Sequence, residues 1–163
     1  MTHDQAHLPE AALGSTGDQR WADLADLVLI ISREIQFRGY TDERALRLSP
    51  SEGMVMRYLH HDPAAPPSRI AAATGIQRTN LSATLRGLEH KGLIERRAGS
   101  GDGRGVTVHP TERGRSNYAL VRQQWAAAVS AAADQDVSNL DAALTLLTAV
   151  ERGLTETRPQ TPT

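Results

Sequence analysis

The chain contains no cysteine, which removes disulfides, thiolate metal sites and cysteine-based peroxide sensing together. Aromatic side chains are scarce, one Phe, two Trp and three Tyr in 163 residues, so any core is aliphatic and alanine-rich, and thin for a lone subunit. Long apolar runs are missing too. The strongest, Leu27-Val28-Leu29-Ile30-Ile31, falls far short of the ~20 residues that span a bilayer. Residues 1–17 lack the basic and apolar regions of a secretory leader, and the expected location is the cytoplasm. No Ser-His-Asp order, nucleophile elbow or paired-carboxylate motif stands out, so no enzyme and no cofactor is expected. No metal is expected either. His60 and His61 are adjacent and would point apart on a helix, without further ligands at a recognisable spacing, and they read, like His90, as cations near helix C-termini.

Charge of one sign is also missing overall, the net value being −1, but it is unevenly distributed. Residues 1–67 carry six Arg against ten acids, −4; residues 68–115 carry nine Lys and Arg against four acids, +5; the remainder carries three against five, −2. Positive charge concentrated in one stretch is where a polyanion would be met, and acidic flanks keep the protein soluble.

Within the basic stretch, Leu93-Ile94-Glu95-Arg96-Arg97 and Val106-Thr107-Val108 read as two short strands. The intervening glycines supply the positive φ that a tight reversal needs. Asp102 stands two residues before Arg104 and can hold its guanidinium by a charge-assisted fork. The target suited to an arginine at a narrow hairpin tip is a DNA minor groove; a solvated turn is the plainer alternative. A phosphate loop fails, because Gly99-Ser100-Gly101-Asp102-Gly103 leads into a strand rather than a helix N-terminus.

Upstream, Pro66 to Thr74 reads as a short helix ending at Gly75, and a second helix runs from about Gln77 to Lys91 with Leu81, Leu85 and Leu88 on its buried face. Two helices joined by a short Gly turn form a helix-turn-helix, whose second helix enters the major groove. Its remaining faces carry Arg78, Thr79, Asn80, Ser82 and Arg86, the residue types that pair with guanine, adenine or phosphate. Ser68 and Arg69 open the first helix and are assigned to the DNA backbone, with Arg96 and Arg97 supporting the wing.

Helix, Gly turn, polar-faced helix, the run His90 to Arg97, the D-x-R pair and the Pro-Thr-x-x-Gly helix start at residues 110–114 together resemble the winged helix-turn-helix of MarR-family transcription regulators, over roughly residues 18–156. The resemblance implies that Arg104, at the wing tip, probes the minor groove. It also implies that the first and last helices intertwine across a two-fold axis, and that a small aromatic or anionic effector binds between the dimer helices and the winged domain. Gln77, Ala83 and Gly87 depart from the family's recognition helix, so no operator sequence transfers.

The flanking segments fit a dimer. Trp21, Leu24, Leu27, Val28, Ile31 and Ile35 line one face of a helix from Gln19 to Arg38, and Leu29, Ile30 and Phe37 widen it. Ser49-Pro50-Ser51-Glu52 reads as a capping box opening a helix through Leu59. Thr111 caps a long helix with Tyr118, Val121, Trp125 and Val129; Val137, Leu140, Leu144, Leu147 and Leu154 form a stripe in the last one. Intramolecular core is the alternative for these stripes. The resemblance alone implies that Trp21, Met54, Tyr58 and Trp125 line the effector pocket, and they are equally good core residues.

The expected architecture is therefore mostly α, with a winged helix-turn-helix at 49–111, dimerisation helices at 18–48 and 112–156, and disordered tails at 1–17 and 157–163. The expected function is sequence-specific binding of double-stranded DNA at a pseudo-palindromic operator by a homodimeric repressor. A winged-helix module engaging protein or RNA is the alternative reading. Arg104 discriminates them, because A-form RNA does not offer the same narrow minor groove.

Overall fold

The structure, a computed structural model, describes residues 16–98 and 105–159. They fall into two compact units, the first ending at Gly39 and the second beginning at Tyr40. The first is the single helix α1 (Thr16–Arg38), which begins two residues before the expected boundary. None of its residues is buried. Trp21, Leu27, Val28 and Ile31 are exposed, and Leu24 and Ile35 are half-buried.

The second unit runs α2 (Pro50–His61), α3 (Pro67–Thr74), α4 (Arg78–His90), β1 (Ile94–Ala98), β2 (Val106–Pro110), α5 (Glu112–Ala132) and α6 (Leu140–Glu156). The capping box forms as the sequence predicts: Glu52 N donates to Ser49 Oγ at 3.2 Å, and Ser49 N donates to Glu52 Oε2 at 2.7 Å. The helix continues two residues past the expected Leu59. Gly75 ends α3 in the left-handed region at φ 71°, a conformation that glycine adopts without steric cost. Three residues later α4 begins, bounded by Gln77 and Lys91, the residues at which the sequence predicts its ends.

The core sits between these elements. Val55, Met56 and Leu59 of α2, Ile70 of α3, and Leu81, Leu85 and Leu88 of α4 are buried together with Leu93, Ile94, Val108 and Tyr118. Each large aliphatic side chain so buried contributes roughly 1.5–3 kcal/mol. The strands pair antiparallel with Ile94 opposite Pro110 and Arg96 opposite Val108, and Ala65 adds an isolated bridge to Val108. Burial falls from Ile94 at the hairpin base to an exposed Ala98.

Thr111 caps α5 by accepting from Gly114 N at 3.0 Å. Within α5, Tyr118 and Val121 are buried while Val129 is exposed. Buried Asn117 links this helix to the loop before α2: its Oδ1 accepts from Leu46 N at 2.7 Å and its Nδ2 donates to Leu46 O at 3.2 Å. Val137 lies before α6 rather than in it, so the predicted stripe begins at Leu140. Nothing in α6 is buried, and Leu140, Leu144, Leu147 and Leu154 are exposed. Among the described residues no helix is long and apolar enough to cross a membrane.

Candidate nucleic-acid interface

The second helix of the helix-turn-helix, α4, is held from behind. Leu81, Leu85 and Leu88 face the core, so the three- and four-residue spacing turns Thr79, Ala83, Arg86 and His90 to the opposite side. Arg78, Thr79, Asn80, Ser82 and Arg86 are all exposed, and among the described residues Arg78 and Arg86 form no ion pair. Ser82 Oγ donates to Arg78 O at 3.1 Å, a bond within the helix that occupies the hydroxyl's proton and leaves its oxygen able to accept.

The C-terminal end of α4 is fixed by a buried carboxylate that the sequence did not single out beyond its capping role. Glu52, 6 % exposed, accepts from Lys91 Nζ at 2.6 Å, and the same ammonium donates to Arg47 O at 2.8 Å. Gly87 lies where Glu52 approaches: a Cβ there would stand 3.0 Å from Glu52 Oε1. A side chain at that position of α4 would have to push the Glu52 carboxylate back by a few tenths of an ångström.

The wing base is crowded. Leu93 N donates to Leu88 O at 2.9 Å, Thr111 N donates to Leu93 O at 3.0 Å, and Thr111 Oγ1 donates to Gly92 O at 2.7 Å. Gly114 packs so closely on the Leu93 carbonyl that a Cβ would lie 1.9 Å from its oxygen. The Thr-x-x-Gly start therefore couples a helix cap to a close backbone approach. Arg96 Nε meets Glu89 Oε2 of α4 at 3.1 Å, bracing the strand against the helix. Arg97 pairs with its own-strand neighbour Glu95, its Nε donating at 2.9 Å, and remains well exposed. Asp102 and Arg104 lie outside the described residues.

At the start of α3, Ser68 is exposed and Arg69 Nη1 donates to Asp62 Oδ2 at 3.1 Å, while the Tyr58 hydroxyl donates to the same oxygen at 2.8 Å. These two donors hold the Asp62 carboxyl below its ordinary range, and burial raises the Tyr58 phenol.

Of the effector-pocket candidates, Met54 and Tyr58 line a cavity of about 620 Å³ between α2, the end of α3 and α6, together with Arg57, His61, Leu154 and Arg158. Trp125 is instead half-buried against the core, edge-on to Tyr118 with ring centroids 6.4 Å apart. Trp21 belongs to the N-terminal unit. The His60 ring lies 5.5 Å from Tyr118, and Arg122 Nη1 donates to its Nε2 at 3.1 Å.

Residues 48–105 match the MarR family. No curated protein matches the sequence. Among solved structures, a transcriptional regulator protein from Pseudomonas aeruginosa PA01 is 27% identical, with a TM-score of 0.66 over 85% of this chain and 99% of that one. A MarR-family transcriptional regulator from Silicibacter pomeroyi is 20% identical, with a TM-score of 0.61 over 83% and 90% of the two chains. FabT from Streptococcus pneumoniae, solved in complex with DNA, is 24% identical, with a TM-score of 0.60 over 86% and 96%. With this match falling on the helix-turn-helix and the strand that leads into the wing, and the architecture recurring in those structures, the winged helix-turn-helix of this chain is similar to that of MarR-family transcription regulators.

Proposed function

We propose that the protein binds a pseudo-palindromic double-stranded DNA operator as a homodimer and represses transcription by occupying it. The observation that carries this reading is the open face of α4: five exposed residues able to read bases or phosphates, Arg78 and Arg86 among them without an ion pair among the described residues, on a helix fixed by Glu52, Lys91 and a leucine core. Arg69 and Arg97 flank it as phosphate contacts, and Arg104, oriented by Asp102, enters the minor groove. The DNA-bound state of FabT, a protein of the same architecture, supports the same use here.

The dimer reading is supported by the apolar side chains that one chain leaves in water. Leu27, Val28 and Ile31 on α1 and Leu140, Leu144 and Leu147 on α6 are exposed, and a helix that leaves several large apolar side chains in water offers an interface. Residues 18–48 and 112–156 supply it, on either side of the winged helix-turn-helix at 49–111. An isologous two-fold places the two recognition helices about 10 bp apart, one turn of the duplex. A small aromatic or anionic effector releases the operator, and the cavity beside Met54 and Tyr58 is its site.

Selection from randomised duplexes tests the reading. The wild type should return a two-fold symmetric motif, and Asn80→Ala should lose preference at particular positions of it, whereas Arg97→Ala should weaken all duplexes alike and flatten the salt slope by about one unit. An Asn80→Ala variant that retains the full motif would remove α4 as the reader.

A further inference from the structure

α6 has no buried residue, and between it and the helices α2 and α3 lies a cavity of about 620 Å³ rather than packed core. Two arginines cross that gap. Arg57 of α2 pairs with Glu151 of α6 at 2.9 Å, an exposed bond that alone contributes little. From the other side, Arg158 Nη1 donates to Ala72 O at 3.1 Å and to Ala73 O at 3.3 Å. Those carbonyls end α3, where a helix is short of backbone donors and its dipole favours a cation. The guanidinium also lies over Gly75, its Nη1 within 2.7 Å of where a Cβ would stand. Its own root is fixed, because Thr157 N and Oγ1 both donate to Gly153 O, at 3.1 and 2.7 Å. Arg158 therefore works as a strap from the end of α6 to the turn between α3 and α4.

α3 and α4 do not need this strap to hold their own fold. Ile70 of α3 and Leu81, Leu85 and Leu88 of α4 are buried in one core, and Lys91 anchors the far end of α4 through Glu52. What the strap adds is the pose of α6 against the helix-turn-helix. α6 carries the exposed leucines that the dimer reading assigns to the two-fold interface, so that pose fixes how far apart two helix-turn-helix units stand. We propose that Arg158 is a positioning residue that sets the distance between the two units of the homodimer, and with it the half-site spacing that the dimer accepts. The proposal rests on the operator and dimer reading above. Each added base pair moves a half-site by about 3.4 Å along the duplex and about 35° around it, a displacement that a strapped dimer resists and an unstrapped one follows.

Fluorescence anisotropy of the full chain on duplexes carrying its selected motif, with one base pair added or removed between the half-sites, tests the strap. Either change should weaken the wild type about tenfold or more, and Arg158→Ala less than about threefold. At the parent spacing Arg158→Ala should bind about threefold more weakly, since its units occupy the matching pose for only part of the time. On a duplex with one half-site the two proteins should bind alike, which a residue that merely held the fold or touched phosphate would not permit. Arg158→Lys, still a charged donor, should restore most of the spacing preference. A second readout needs no DNA and uses the absence of cysteine: a spin label on Ala64→Cys, an exposed position before α3, reports the distance between the two protomers. Its distribution should be about twofold broader in Arg158→Ala. An unchanged spacing profile in Arg158→Ala, or a loss on the single half-site as large as on the full one, would overturn the strap. A wild type that dimerises but binds no duplex fails the operator reading alone, and the label distances then decide the strap, equal widths overturning it. A monomeric wild type overturns both.

Discussion

Replacing Gly114 by alanine adds one methyl group at the point where α5 meets the wing. The new carbon would start 1.9 Å from the Leu93 carbonyl oxygen, and ordinary contact begins at 3.4 Å, so the two backbones must separate by the 1.5 Å difference. A movement of that size pulls Thr111 N from Leu93 O and Thr111 Oγ1 from Gly92 O, bonds of 3.0 and 2.7 Å. Losing both costs about 1 kcal/mol each, and forced expansion of packed structure adds about 1–3 kcal/mol. Alanine returns about 1 kcal/mol of helix propensity. The net loss is about 2–4 kcal/mol, or about 10 °C in Tm for a chain of this length. Urea unfolding followed by far-UV circular dichroism would measure it, with an unchanged m-value showing that the unfolded state is not the cause. Gly53→Ala is the internal control: among the described residues nothing beyond its own stretch of helix lies within 4 Å of the added Cβ, so it should be neutral or stabilising by up to about 1 kcal/mol. A Gly114→Ala loss under about 0.5 kcal/mol would refute the close approach on which the argument depends.

Arg104→Ala should weaken duplex binding by about 1–3 kcal/mol, and Asp102→Ala by part of that, with fold and dimer intact; unchanged anisotropy titrations for both would remove the wing from the interface. Leu27→Asp combined with Leu144→Asp should shift sedimentation toward the monomer or unfold the chain, and abolish tight binding to a full operator; a wild type that already sediments as a monomer at micromolar concentration would sink the two-fold arrangement. Lys91→Met leaves the Glu52 carboxylate with one donor fewer in a buried site and should cost about 1–2 kcal/mol in chemical denaturation, partial exposure of the ammonium keeping the value low. Asp62 has its folded pKa depressed below 3.8 by the Tyr58 hydroxyl and Arg69, so its contribution is present above that pH and lost as pH falls through the lower folded value. Asp62→Asn should therefore make the decline of Tm below pH 3.8 shallower, and an identical decline in the variant would count against the triad.

What the sequence revealed depends on how local its cause is. Caps and turns were legible because their chemistry lies within four residues: Ser49 with Glu52, Gly75 at the end of α3, Thr111 with Gly114. The leucines at 81, 85 and 88 were legible because helical periodicity needs no partner to be named. Contacts between distant residues left no such trace. Nothing near Arg158 points to carbonyls 85 and 86 positions away, and the segment reads as an unanchored tail. Gly87 read as a departure from a family pattern until Glu52 was seen against it. Trp125, offered to a pocket by the resemblance and to a core by its helical spacing, is placed against Tyr118 by packing alone.

The crowding at Leu93 has a consequence for how specificity evolves. Its amide is tied to α4, its carbonyl to Thr111, and its oxygen is pressed on Gly114, so the recognition helix and the base of the wing share one rigid joint. In the proposed complex that joint acts as a fixed caliper: the offset between α4 and the base of the wing is set when the protein folds, before any duplex arrives. Side chains on the open face of α4 can then be exchanged without retuning the wing, and new operators become reachable by changes at Arg78, Thr79, Asn80, Ser82 or Arg86 alone. Changes at the joint would alter the step between the two grooves, and with it every operator at once.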